Sequence, residues 1–172
     1  MKKTLVLIAI LILTGCEGSS GPVGPEGPPG PVGQGFEVTA NFNDSNNYSQ
    51  LFDFPSNVEA LDTDIVVVYL LYSVDQQTAK DVWQQLPASF FFDDGSELQY
   101  SFDHTSSDVQ IFLAGTADFS TLGADYTQDQ VFRVAILPVD YVQSSKIDLN
   151  NMKAVTQAIG QGNFKKLNLT GK

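Results

Sequence analysis

From Phe36 onward, apolar and polar positions alternate with period two along most of the chain. Phe36–Phe42 is the clearest case, and this alternation is what a strand with one buried face requires. After the polar cluster Asn41–Asn47, Tyr48–Phe54 reads as a second strand, stopped by Pro55. Ile65–Val74 breaks the alternation: it is almost wholly apolar, β-branched at its start and too short to cross a bilayer. Such a run predicts a central strand buried on both faces. Val82–Leu86 is a short strand ended by Pro87, and Ser89–Phe92, Glu97–Phe102 and Val109–Leu113 follow as three more. Asp93-Asp94-Gly95-Ser96 and Asp103–Ser107 supply the turns of an antiparallel meander. Gly115–Gln128 reads as a long loop, and Val131–Leu137 as a strand stopped by Pro138.

Near the end the period changes. Leu149, Met152, Val155 and Ile159 fall on one face of a helix, with Asp148 as its predicted cap and Gly160 at its end. Asn163–Leu169 returns to alternation as a last strand. About eight strands and one late helix predict a mainly β fold: an antiparallel β-sandwich with the helix closing one end.

The first 35 residues follow other patterns. Lys2 and Lys3 precede an unbroken apolar run, Leu5–Leu13, the length of a signal-peptide core and far short of the ~20 residues of a spanning helix. Leu13-Thr14-Gly15-Cys16 then resembles a bacterial lipobox, in which the cysteine thiol takes a diacylglyceryl group and becomes the new N-terminus after cleavage. Cys16 is the only cysteine, so no disulfide can form within the chain. The expected product is anchored to a membrane through lipid on Cys16. Glu17 in place of an aspartate leaves sorting to the outer membrane of a Gram-negative envelope open.

Glycines then stand at 18, 21, 24, 27, 30 and 33, with prolines at 22, 25, 28 and 31. Glycine at every third position is the collagen pattern, because only glycine fits at the crowded axis of three polyproline-like chains. Two readings stay open. One is a triple helix, which demands a homotrimer; the other is a single-chain polyproline spacer of about 18 residues, reaching ~55 Å at ~3.1 Å per residue. The organisation is therefore a signal peptide at 1–15, a lipidated cysteine and collagen-like stem at 16–35, and a head at 36–172, long enough for one domain with a core of its own.

Charge narrows the partners. The chain carries a formal charge of −11. Between Phe36 and Ser145 only Lys80 and Arg133 stand against seventeen acids, while five lysines and Asp148 give the last segment, from Lys146, a positive balance. An acidic body argues against nucleic acid, whose binding rests on neutralising phosphates, and against lying flat on anionic lipid.

Candidate chemistry is sparse. His104 is the only histidine and sits in a turn; no serine lies in a nucleophile-elbow pattern, and no cofactor motif or catalytic residue stands out. Asp93, Asp94 and Glu97 crowd three carboxylates into five residues, a candidate calcium site, although aspartate and glycine are also what a tight turn demands. Asp125 and Asp129 are weaker versions of the same idea. Trp83, flanked by Gln84 and Gln85, is a candidate platform for stacking a sugar ring, or else a core aromatic.

The segments Phe90–Gly95 (FFFDDG), Leu98–His104 and Thr127–Tyr141 (TQDQVFRVAILPVDY), behind the lipobox and glycine run, resemble collagen-like lipoproteins of Bacteroidetes-type bacteria. The resemblance implies an envelope lipoprotein and no defined activity. The expectation is a lipid-anchored, non-enzymatic envelope protein with a structural or adhesive role. The alternatives are a binder of carbohydrate or calcium and, last, a hydrolase using carboxylates.

Overall fold

The computed structural model describes residues 33–58, 60–160 and 164–166; the signal peptide, Cys16 and the glycine run to position 32 lie outside them. The described chain forms nine strands: β1 (Gln34–Ala40), β2 (Ser49–Asp53), β3 (Ile65–Val74), β4 (Asp81–Gln85), β5 (Ala88–Phe91), β6 (Glu97–His104), β7 (Asp108–Gly115), β8 (Gln130–Leu137) and β9 (Phe164–Lys166). Three helices accompany them: α1 (Ala124–Thr127), α2 (Val139–Ser145) and α3 (Met152–Ile159). The fold is a mainly β sandwich. One sheet runs β4-β3-β8-β1-β9 and the other β2-β7-β6-β5.

Period two explains the join between the sheets. Phe36, Val38 and Ala40 of β1 face inward with Val66, Val68 and Leu70 of β3 and Phe132, Val134 and Ile136 of β8. They meet Phe52, Leu98, Tyr100, Val109 and Ile111 from the opposite sheet. Each fully buried Phe, Ile or Leu contributes about 2 kcal/mol. Aromatic rings lock one end of this core edge to face: Phe42 lies 5.9 Å from Tyr100 and 6.2 Å from Phe132, and Phe90 lies 5.7 Å from both Tyr100 and Tyr126. The Tyr100 hydroxyl donates to the Tyr126 carbonyl at 2.6 Å, and burial pushes its ionisation well above the usual tyrosine range.

A second core lies on the other side of the five-stranded sheet. Val67, Tyr69, Ala135 and Leu137 pack there against Val142 of α2 and Val155, Ala158 and Ile159 of α3. The molecule therefore has three layers, sheet on sheet on helices. The late helix covers a sheet face rather than closing an end of the sandwich.

Four further expectations are corrected. The middle strand of the larger sheet is β8, and β3 lies next to the edge strand β4; β3 is buried on both faces, as expected, from Val66 to Leu70, but it is exposed from Tyr72 to Val74. Pro138 ends β8 but also stands at the N-cap of a second helix, α2, as fixed φ allows at a helix start. The cap of α3 is Asn151, whose Oδ1 accepts from the backbone of Lys153 at 3.1 Å and Ala154 at 3.3 Å. Asp148 instead accepts from the Asn150 backbone in the turn before it. Finally, β9 pairs with β1 in parallel, Gly35 opposite Phe164, whereas every other strand pair is antiparallel.

Candidate functional site

Trp83 sits on the edge strand β4, and its alternation with Asp81 turns both toward the outer face of the larger sheet. It is half-buried and packs against the helix-covered core. The Arg133 guanidinium lies over its ring, 3.9 Å from the centroid, and 5.1 Å from the ring of Phe164 on the far edge strand. A cation held between two aromatic rings gains about 1 kcal/mol or more from their π faces.

Arg133 is pinned from below as well. The β1–β8 register sets Glu37 directly opposite it. Its Nε and Nη2 both approach Glu37 Oε1 at 2.8 Å, with the Arg133 side chain 21% exposed. One of the two cations in the body of the head is thus a fixed, neutralised cross-strand pair. Gly35 makes room for the arrangement: a Cβ there would come within 2.5 Å of the Phe164 ring.

Helix α3 forms the opposite wall. Met152, Lys153 and Thr156 face Asp81, Trp83 and Arg133 across an open groove of about 410 Å³. The groove offers an indole and a thioether as apolar surface, Arg133 and Lys153 as donors, the Asp81 carboxylate as acceptor and the Thr156 hydroxyl as either. Glu37 pairs with Arg133, and Asp81 and Lys153 bring one charge of each sign to the facing walls, so the formal charges of these described residues sum to zero. Such a set of side chains offers contact surface and hydrogen-bonding groups to a ligand.

The other candidates are placed differently. The Asp94 Oδ1 accepts from the Ser96 hydroxyl at 2.6 Å and the Ser96 backbone at 2.8 Å. These bonds hold its exposed carboxyl below the usual range. The same turn is closed by Phe92 and Ser96 backbone groups. Asp93 is exposed, and the Glu97 backbone is bonded to Thr116 and Ala117. Among the described residues no three His, Cys, Asp or Glu side chains gather as a metal would need, so Asp93, Asp94 and Glu97 are neighbours in sequence that the fold does not draw into one site. Asp75 and Asp118 play the part of Asp94 in their own turns, accepting from Thr78 and Gln77 and from Ser120, with lowered carboxyl ionisation. Asp125 and Asp129 are exposed. His104 is exposed and stacks on Phe102 at 6.3 Å. Cys16 lies outside the described residues.

Sequence reasoning singled out Trp83 but missed its companions. The signal for Arg133 was present: a charge inside the apolar strand Gln130–Leu137 needs a partner. Nothing in the local pattern named Glu37, 96 positions away, or the exposed face of α3. Among the described residues no helix is long and apolar enough to cross a membrane. No protein-family model matches the chain, and no curated protein or solved structure matches it significantly.

Proposed function

We propose that the chain is a lipid-anchored envelope protein that displays its sandwich on a short collagen-like stem and acts in structure or adhesion rather than catalysis. The observation that carries this reading is Leu13-Thr14-Gly15-Cys16 behind Lys2, Lys3 and the apolar run Leu5–Leu13. Two fatty chains or more hold a protein to its membrane where one does so only marginally. The glycine run that follows is a tether in either of its forms, one chain or three.

The head suits the end of a tether. The chain enters it at β1, which is hydrogen-bonded on both sides, to β8 and β9. A pull on the stem therefore loads two ladders in shear rather than peeling off an edge. The groove beside Trp83, whose described side chains offer contact surface and hydrogen-bonding groups, fits a contact role better than hydrolysis. The outer membrane of a Gram-negative cell is the proposed location, and the acidic head stands clear of anionic lipid.

Metabolic labelling with a palmitate analogue tests the proposal. The chain is expected to take label and sediment with membranes, and Cys16→Ser to lose both. An unlabelled wild-type chain, or one released into the medium, overturns the reading. Ultracentrifugation with and without Gly18–Gly33 separates the stem's two forms: a trimer that becomes monomeric without the run supports the triple helix, and a monomer in both states leaves the spacer.

A further inference from the structure

We infer that the groove between β4 and α3 is a binding site for a neutral saccharide, with Trp83 and Met152 as its apolar contacts and Asp81, Arg133, Lys153 and Thr156 as its hydrogen-bonding groups. The inference deepens the adhesive reading above and rests on it for biological sense, since it names what the head would hold.

The argument starts from amphipathic matching. A pyranose ring carries C–H surface on its faces and hydroxyls, each both donor and acceptor, around its rim. The groove sets an indole and a thioether beside two cations, a carboxylate and a hydroxyl. Ligand sites combine apolar walls with a few placed polar groups in this way, and about 410 Å³ falls within their usual ~300–1,000 Å³. Charge then selects among sugars. Arg133 is paired with Glu37, and Asp81 and Lys153 carry opposite charges on facing walls, so the formal charges of these described side chains leave no surplus cation for a uronate or sulfate.

Preorganisation supplies the third step. Arg133 is held by Glu37 through Nε and Nη2 and lies over the Trp83 ring. Its Nη1 has no protein partner among the described residues, and its direction is already set. A donor that needs no further ordering loses little entropy when a hydroxyl arrives. Asp81 and Thr156 flank it from the edge strand and the helix, so a ligand would bridge two layers of the fold.

Trp83 is the chain's single tryptophan, so its fluorescence reports on this groove alone. The full chain, held in a detergent without a sugar headgroup, is titrated with malto-, cello-, xylo-, manno- and chito-hexaose and with oligogalacturonate as the anionic control. At least one neutral hexaose is expected to shift the emission saturably. Asp81→Ala and Thr156→Ala should each weaken the midpoint tenfold or more while keeping the wild-type melting temperature, and oligogalacturonate should leave the emission unmoved. The inference is overturned if no neutral hexaose moves the emission, if both variants keep the wild-type midpoint, or if only the anionic oligomer binds. A chain that takes palmitate but no sugar keeps its anchor and loses this ligand; one that binds sugar without palmitate does the reverse.

Discussion

The outer faces of the two sheets are built on opposite plans. On the larger sheet, Val67, Tyr69, Ala135 and Leu137 are apolar and lie under α2 and α3. On the smaller sheet the outward positions carry amides and hydroxyls that bond to one another. Gln99 Nε2 donates to Ser89 Oγ at 3.0 Å, Ser101 Oγ donates to Gln99 Oε1 at 3.0 Å, and Gln110 Nε2 donates to Ser49 Oγ at 2.6 Å. Apolar groups on that face stand open, Leu51 among them and Phe91 at 76% exposure. A strand reads as a continuous apolar run when both its faces are covered and as an alternation when one is wet. Strands β3 and β8 are of the first kind, and β6 and β7 of the second. The number of layers is thus written into the difference between strands rather than into any one of them.

The sharpest way to break this comparison is to truncate one apolar side chain on each face. Ile159, on the buried face of α3, is fully buried, and Ile159→Ala should cost about 3 kcal/mol. Leu51→Ser on the open face should cost about 0.5 kcal/mol or less. Urea denaturation of both variants measures the gap, and equal losses would mean that the helices are not a structural layer. The next test removes the support under the groove. Glu37→Gln leaves the Arg133 charge without its counterion in a largely buried setting and should cost about 2 kcal/mol, less than for a fully buried pair. Adding Arg133→Met should restore part of the loss, because the unpaired charge goes with it.

pH separates the covered face from the loops. Tyr69 donates to the Leu149 carbonyl at 2.6 Å, and burial, with the nearby Asp148 charge, pushes its ionisation up to about 12. A raised folded value means that the unfolded chain loses its proton first. The contribution is therefore complete below pH 10, where an unfolded tyrosine begins to ionise, and is lost as pH rises toward 12. Thermal melts across that window should fall, and Tyr69→Phe should flatten part of the fall. At the acid end the sign reverses. Asp75, Asp94 and Asp118 have lowered carboxyl values, so their contribution holds above the ordinary carboxylate value near ~4 and fades as pH drops below it. Asparagine at Asp94 should blunt the acid limb and leave the alkaline one untouched. The smallest effect concerns Gln85, whose Oε1 is buried without a partner among the described residues. Gln85→Met should raise stability by about 1 kcal/mol, read as a higher urea midpoint.

Legibility differed by element. The three-strand meander β5-β6-β7 could be read because each strand alternates and each turn carries its own Asp and Gly or Ser. The short helix α2 is hidden in the sequence, since Pro138 signals the end of a strand there, although the same locked φ suits the start of a helix. Asp148 was the wrong cap for α3 because Asn151, three residues on, offers the same chemistry in the position where the backbone bends. The candidate site was half legible. Trp83 stands out in the sequence as a lone aromatic beside amides, but so do the three carboxylates of the Asp93 turn, and only the structure shows that Asp94 spends its carboxylate on Ser96 within that turn.

Local pattern by itself determined the mainly β class, the approximate bounds of most strands, the late helix and the sharp change of character at the glycine run. These follow from side-chain periods and from residues whose effect reaches only a few positions along the chain. Only the tertiary structure decided that β8 sits at the middle of the larger sheet, that β9 joins in parallel, that the helices cover a face, and that Glu37, Trp83, Arg133 and Thr156 share one groove. Those outcomes depend on which apolar faces find each other across the fold, and sequence distance carries no record of that choice.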